Sequence, residues 1–309
     1  MFFGYHLPNF TFPGSRPEQL FDRYVELATT AEHAGFDLLT VMDHVYQIGG
    51  IGPEEEPMLE AYTTLGALAA RTSRIRLATL VTGVTYRNPA VLAKQVTTLD
   101  VISHGRAIFG LGAAWNEAEH RGYGVTFPPI RERMDRLDEA LTIARLMFTQ
   151  ERPSFEGTHY RIDQALNSPR PIQPGGPRIL VGGGGEERTI KIAAKHADIT
   201  NWFGPVDVMV HKNEVLLRHC ETVGRDPTTI QRTVTIPLLL AETEGEARAA
   251  LETVDPARRP LSPAGTPEMV ADYIRQYVVA GFDSFIFRTV MPTTPAAIRL
   301  AAEVRRLLG

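Results

Sequence analysis

The chain reads as an α/β protein, a (β/α)8 TIM barrel carrying one irregular insertion. Three observations predict this. Eight short apolar runs alternate with helical patterns along the 309 residues, and the runs are nearly continuous, as expected of parallel strands buried on both faces. The segment AGFDLLTVM at 34–42 is echoed by AGFDSFIF at 280–287, and in both a glycine ends a helix just before a strand begins. Matching units at opposite ends of the chain suit a closed sheet, whose last strand lies beside its first. The length allows residues 1–309 to form a single domain of this kind.

Taken in order, residues 2–7 form the first strand, stopped by Pro8 and Asn9. Residues 17–34 carry Leu20, Tyr24, Leu27, Ala28 and Ala31 at helical spacing, and Gly35 caps them. An apolar strand at 36–42 ends in Asp43 and His44, and a Gly/Pro-rich loop at 47–57 leads to a helix at about 58–72. A strand at 75–84, a helix at 89–103, a strand at 106–111 and a long charged amphipathic helix at 131–148 follow. Periodicity then stops. Residues 150–177 contain a short hairpin and a Pro-rich connector, and they read as an insertion because β–α alternation resumes beyond them. The remaining strands are expected at 178–181, 199–202, 230–240 and 282–288. Helices are expected at 187–195, 206–223, 244–254, 267–280 and 295–308, with a Pro-rich loop after residue 254.

Composition narrows the function. Hydrophobic residues make up 43% of the chain, enough for a substantial core. A formal charge of −4, with no basic run, argues against a nucleic-acid surface. One cysteine, Cys220, precludes an internal disulfide and offers no metal-ligand spacing. No apolar run approaches the roughly 18 residues of a membrane span, and the N-terminal stretch lacks the marks of a signal peptide, so the expectation is cytoplasmic.

The chemistry concentrates where strands should end. Residues 179–191, ILVGGGGEERTIK, pass from a strand through four glycines into a helix. Consecutive glycines pack nothing, but they let backbone N–H groups approach an anion at a helix start. The alternative is a tight turn whose Glu186 and Glu187 simply satisfy the helix N-terminus. In a barrel, the same rim collects Asn9, Asp43, His44, residues 82–87, residues 113–117, Trp202 and Arg288. His44 is the leading proton-transfer candidate, with His6 second; His120, inside a charged stretch, reads as solvated or structural. No G-x-S-x-G elbow, Walker loop or HExxH helix occurs, and no G-x-G-x-x-G follows the first strand.

Five blocks, AGFDLLTVMDH (34–44), TGVTYRNPAVLAKQ (82–95), GLGAAWNEAEHRGYG (110–124), FEGTHY (155–160) and PRILVGGGGEERTIKIAAKHAD (177–198), carry a wider likeness. In them the chain resembles the luciferase-like monooxygenase superfamily, and in particular its coenzyme F420-dependent branch. The resemblance implies a luciferase-like TIM barrel with a ring cofactor at the C-terminal ends of the strands. It places cofactor contacts at Asp43, Thr82, Gly83, Val84, Asn116, Val181, Gly182, Gly183, Gly184 and Gly185, the last five around a phosphate-bearing tail. It puts His44 near the reacting carbon and a non-proline cis peptide at Gly83–Val84. Asn9, Trp115, Trp202 and Arg288 are left to the substrate side. Sugar-phosphate dehydrogenases of this branch have a glutamate acid where this chain has Ala113, so sugar-phosphate oxidation is not expected. The implied reaction is hydride transfer between the deazaflavin and a small organic substrate, in a homodimer. The alternative is an FMN-dependent monooxygenase that needs oxygen and a flavin reductase partner; a third is cofactor binding without turnover.

Overall fold

The computed structural model describes residues 1–254, 256, 259 and 263–309. Its first half contains β1 (Phe2–Leu7), α1 (Leu20–His33), β2 (Leu38–Val41), α2 (Ala61–Ala69), β3 (Arg76–Thr79), β4 (Thr82–Gly83), α3 (Pro89–Ile102), β5 (Ile108–Gly112), α4 (Glu117–Gly122) and α5 (Ile130–Thr149). The second half adds β6 (Phe155–Glu156), β7 (Arg161–Ile162), β8 (Arg178–Gly182), α6 (Thr189–His196), β9 (Ile199–Trp202), α7 (Val206–Val223), β10 (Gln231–Leu240), α8 (Glu244–Thr253), β11 (Ala264–Gly265), α9 (Pro267–Val279), β12 (Ser284–Thr289) and α10 (Pro295–Leu308). The parallel strands follow the order β3-β2-β1-β12-β10-β9-β8-β5-β4. A bridge between Leu77 and Ala107 then joins β3 to β5 and completes the circuit. The last strand pairs with the first, Phe3 opposite Phe285, as the internal echo predicts.

That echo has a physical basis. Gly35 and Gly281 have φ of +84° and +91°, a conformation that suits a residue without Cβ. At both sites the next phenylalanine amide reaches back to a helix carbonyl, Phe36 to Ala31 and Phe282 to Tyr277, at 3.1 and 3.0 Å. Elsewhere helix starts are fixed by side chains. Asn88 accepts from the Ala90 and Val91 amides ahead of Pro89, and Thr243 forms a reciprocal box with Glu246.

Strand periodicity sorts the side chains into two layers. Leu38, Ala78, Ile108, Leu180, Ile199 and Ile286 form a small cluster that plugs the barrel interior. Their sequence neighbours, such as Leu39, Phe109, Val181 and Phe287, face the helices and join the large core, as does Trp202 three residues after Ile199. Two residues beyond the plug along their strands, Gly182, Asn201 and Arg288 line a cavity.

Several boundaries differ from expectation. The run at 75–84 is not one strand: it breaks at residues 80–81, and β4 pairs with β5 alone. The cis peptide lies in that break, at Leu80–Val81, and not at Gly83–Val84. The helix expected from 187 starts at Thr189, because residues 186–188 form turns. Helix α4 and strand β11 were not anticipated, being too short for periodicity to reveal. Residues 150–177 hold the antiparallel β6–β7 pair and a connector fastened by Asp100, which accepts from the Ile172 and Gln173 amides. The loop expected after residue 254 lies partly outside the described residues. Among the described residues, no helix is long and apolar enough to cross a membrane.

Opposite the cavity, the turn before β3 is held from both sides. Glu32 accepts from the Ser73, Arg74 and Ile75 amides at 2.6–3.0 Å. Buried Arg106 donates to the carbonyls of Ala69, Thr72 and Ile75. Burial alone would raise the Glu32 pKa, but the three amides and Arg74 hold it below the usual value. A depressed carboxyl contributes stability above its unfolded pKa and loses it as pH falls through the folded value. Glu32→Gln should therefore cost about 1–3 kcal/mol at pH 7. The gap to the parent should shrink below about pH 4.5, where an unfolded glutamate protonates. Urea unfolding at the two pH values measures this; an equal gap at both would refute the electrostatic account.

Candidate functional site

A cavity of about 950 Å3 opens at the C-terminal end of the barrel. Its floor is the β3–β4 break. Leu80 and Val81 pack on the interior plug and line the cavity above it. Glycines make room for them. A Cβ on Gly112 would sit 2.8 Å from Val81 Cγ2, and one on Gly182 would sit 2.9 Å from both Val81 methyls. The wall is therefore bare backbone from β5 and β8 beside a small apolar shelf. Higher up, Trp115 and Phe203 line the cavity while 61% and 71% exposed, two large apolar surfaces left open to solvent. Trp115 follows Ala114, whose φ is +61°, and buried Arg133 holds that turn by donating to the Ala114 carbonyl at 2.5 Å.

Two side chains, Asp43 and His44, follow β2. Asp43 is buried and takes a forked pair from Arg87, at 2.5 and 3.0 Å; Arg87 also reaches Glu60 at 2.6 Å. Burial raises the Asp43 pKa, and Arg87 offsets only part of that rise. His44 presents its ring to the cavity while its Nδ1 lies 2.7 Å from Oε2 of Glu119. The Trp115 ring stands edge-on to it at 5.5 Å. Glu119 itself is fully buried on α4. Its Oε1 accepts from the Val45 and Tyr46 amides, at 2.7 and 3.1 Å, and its Oε2 accepts from the Tyr86 hydroxyl at 2.9 Å. Burial would raise its pKa, but these donors and His44 lower it below the ordinary carboxylate value.

The interior end of the cavity is polar. His6 hydrogen-bonds Thr40 Oγ1 at 2.8 Å, and burial, aided by the charge of Arg288, pushes its pKa down to about 3. Asn201 donates to Thr233 and accepts from Thr235. The four glycines reach outward from β8. Gly183 has φ of +118°, and the Gly184 carbonyl accepts from Lys212 Nζ at 2.7 Å. Glu186 pairs with His211 on α7 at 3.2 Å. A recess of about 530 Å3, lined by residues 185–189, shares Ile130, Met134 and Thr189 with the main cavity.

The structure thus brings Asp43, His44, Thr82, Gly83, Trp115, Gly182, Gly183 and Arg288 to one cavity, with His6. It does not bring the other predicted residues to the cavity wall. Val84, just past β4, is buried in the core, and Val181 and Trp202 are buried behind the wall on the opposite face of their strands from Gly182 and Asn201. Asn116 caps α4 by accepting from Ala118, and Asn9 stands outside the cavity. Gly184 lies back from the wall beside Lys212, and Gly185 lines only the smaller recess. His120 is structural: fully buried, it bonds Thr85 and the Asn116 carbonyl. Sequence reasoning missed Glu119 and Asn201, and it placed Arg87 at the rim without pairing it with Asp43. The spacing from Asn116 to Glu119 was the one available signal, since an Asn followed three residues later by Glu marks a helix start.

Comparison with known proteins agrees with this geometry. The luciferase-like monooxygenase family matches residues 1–261. An F420-dependent glucose-6-phosphate dehydrogenase of Kineococcus radiotolerans is 34% identical over 232 residues, which cover 73% of this chain and 66% of that protein. An uncharacterized protein of Mycobacterium tuberculosis is 39% identical over 170 residues, covering 54% of this chain and 58% of the relative. The chain therefore matches only about three-fifths to two-thirds of these relatives' length. An F420-dependent secondary alcohol dehydrogenase superposes over 100% of this chain and 99% of its own, with a TM-score of 0.82 at 20% identity, a likeness of fold. A monooxygenase from Streptomyces bottropensis covers 98% of both chains, with a TM-score of 0.81 at 26% identity. With a closed parallel barrel, a cavity at the ends of its strands and a family match over most of its length, the chain belongs to the luciferase-like monooxygenase family.

Proposed function

We propose that the protein is a coenzyme F420-dependent oxidoreductase acting on a small organic substrate without a phosphate group. The observation that carries this reading is His44: one imidazole, anchored at Nδ1 and facing a large apolar cavity beside the Leu80–Val81 shelf. The named F420-dependent relative at 34% identity supports the choice of cofactor.

The residues present fit such a group. The cavity volume is near the upper end for ligand sites, and bare glycine backbone beside an apolar shelf suits a flat ring. Asp43, held by Arg87, Thr82 and the backbone of Gly83 would meet the ring's polar edge. Gly182 and Gly183 lead toward the smaller recess, where the glycine loop and Arg188 offer partners to a phosphate-bearing tail, with Lys212 beside Gly184. Bound F420 supplies the hydride chemistry, giving or accepting a hydride at its ring. His44 holds or moves the accompanying proton at Nε2. Trp115 and Phe203 exclude water above it. His6, kept neutral by burial, and Asn201 orient polar atoms at the interior end without adding charge.

The substrate class follows from the lining. Ala113 provides no acid, and among the described residues that line the cavity Arg288 is the one guanidinium and lysine is absent. A phosphate dianion would find few charge partners there. The second reading, an FMN-dependent monooxygenase working with oxygen and a flavin reductase, draws on the Streptomyces monooxygenase likeness.

Fluorescence titration of the purified protein separates the two. F420 should bind at least about 100-fold more tightly than FMN, a gap of roughly 2.7 kcal/mol. The reverse order would replace this reading with the monooxygenase. With reduced F420 and a panel of enones and carbonyl compounds, His44→Ala should lower turnover by about 10²–10⁴-fold. Unchanged turnover would remove His44 from proton transfer.

A further inference from the structure

We propose that Glu119 is a positioning residue that sets the tautomer of His44, taking its Nδ1–H and leaving the Nε2 lone pair on the cavity side of the ring. The inference rests on the proposed role of His44 in proton transfer, but its geometry stands apart from any cofactor.

The argument is one of donors and acceptors. Glu119 is fully buried and takes three hydrogen bonds, from the Val45 and Tyr46 amides, which can only donate, and from the Tyr86 hydroxyl, which donates to Oε2. These donors and His44 hold its carboxyl ionised. A carboxylate with three such donors has no proton of its own to give, so the short contact at 2.7 Å requires the hydrogen on His44 Nδ1. A neutral imidazole with hydrogen on Nδ1 has none on Nε2. The ring cannot swing away readily, because Trp115 stands against it and the carboxylate is itself locked to the backbone of the two residues that follow His44. The same carboxylate thus grips the loop after β2 and selects the protonation site of the group that loop carries. A buried acid that fixes a histidine's tautomer, without itself exchanging a proton, is an established way to prepare a base. Here it comes from α4, six residues beyond Ala113.

Replacing the acid by its amide makes the consequence sharp. Glutamine offers one acceptor and one NH2. The Val45 and Tyr46 amides both need the acceptor, so the NH2 faces His44 and Tyr86. His44 Nδ1 must then accept, and its proton moves to Nε2. Glu119→Gln should invert the tautomer with little change in side-chain shape.

The test is long-range 15N–1H correlation on 15N-histidine-labelled protein without cofactor at pH 9, above the ordinary histidine range. The His44 signals are those missing from His44→Gln. The parent should show hydrogen on Nδ1, and Glu119→Gln should show it on Nε2. Tyr86→Phe, which removes one donor to Glu119 but leaves the histidine contact, should keep the parent tautomer. In turnover with reduced F420, Glu119→Gln should lose about 10²–10⁴-fold in kcat, with the F420 dissociation constant within about threefold of the parent. Hydrogen on Nε2 in the parent, an unchanged tautomer in Glu119→Gln, or an inverted one in Tyr86→Phe would overturn the proposal. If Glu119→Gln fails to fold, the parent and Tyr86→Phe spectra still decide it. Because the spectra need no cofactor, a wrong tautomer and a wrong cofactor give separate failures.

Discussion

The whole site depends on how closely one broken strand can approach its neighbours. The barrel closes between β3 and β5, and there β3 stops at Thr79 and resumes at Thr82. The break is seated because β5 and β8 present glycine at Gly110, Gly112 and Gly182: Thr79 lies against the first, and Val81 lies between the other two. The Thr79 hydroxyl is bonded to both Thr82 and the Gly110 carbonyl, which fixes the two ends of the break. Side chains at those three glycines would push the break out of the barrel, and the shelf that floors the cavity would go with it.

Above that shelf, the interior changes character within a single strand repeat. The plug is aliphatic, whereas the next inward layer contains His6, Thr40 and Asn201. Buried polar groups are tolerable only when partnered, and these are: His6 with Thr40, and Asn201 with Thr233 and Thr235. Two acids with partners stand one step further out, at the loop after β2, where Asp43 meets Arg87 and Glu119 meets His44. Polarity therefore rises from an apolar plug to a polar layer and then to a rim of paired acids. Such a gradient suits a reaction that needs a dry floor and a proton-handling rim.

Much of the fold was legible because its signals are local. Apolar runs identified the eight barrel strands, and the repeated Ala-Gly-Phe at 34–36 and 280–282 marked two helix ends by a conformation only glycine adopts easily. Asp43, His44, Gly182, Gly183 and Arg288 were legible because a barrel puts strand ends at one rim. Trp202 misled because position along the chain does not give parity: one residue earlier, Asn201 faces the cavity instead. Glu119 was illegible for a different reason. It lies in Glu-Ala-Glu-His-Arg, a run that reads as a solvated surface, and its burial depends on a loop 73–75 residues away. Arg87 likewise gains its meaning only when it meets Asp43, 44 residues earlier.

The distribution of tryptophan gives the protein an internal optical contrast. Of its two indoles, Trp202 is sealed in the core while Trp115 stands at the cavity mouth, 61% exposed and against His44. Their emission should differ in colour, a blue component from the sealed ring and a red one from the wet ring. Only Trp115 stands where an arriving ligand can touch the indole itself, so contact at the mouth and global unfolding, which also wets Trp202, have separate signatures in the native chain, without any added label.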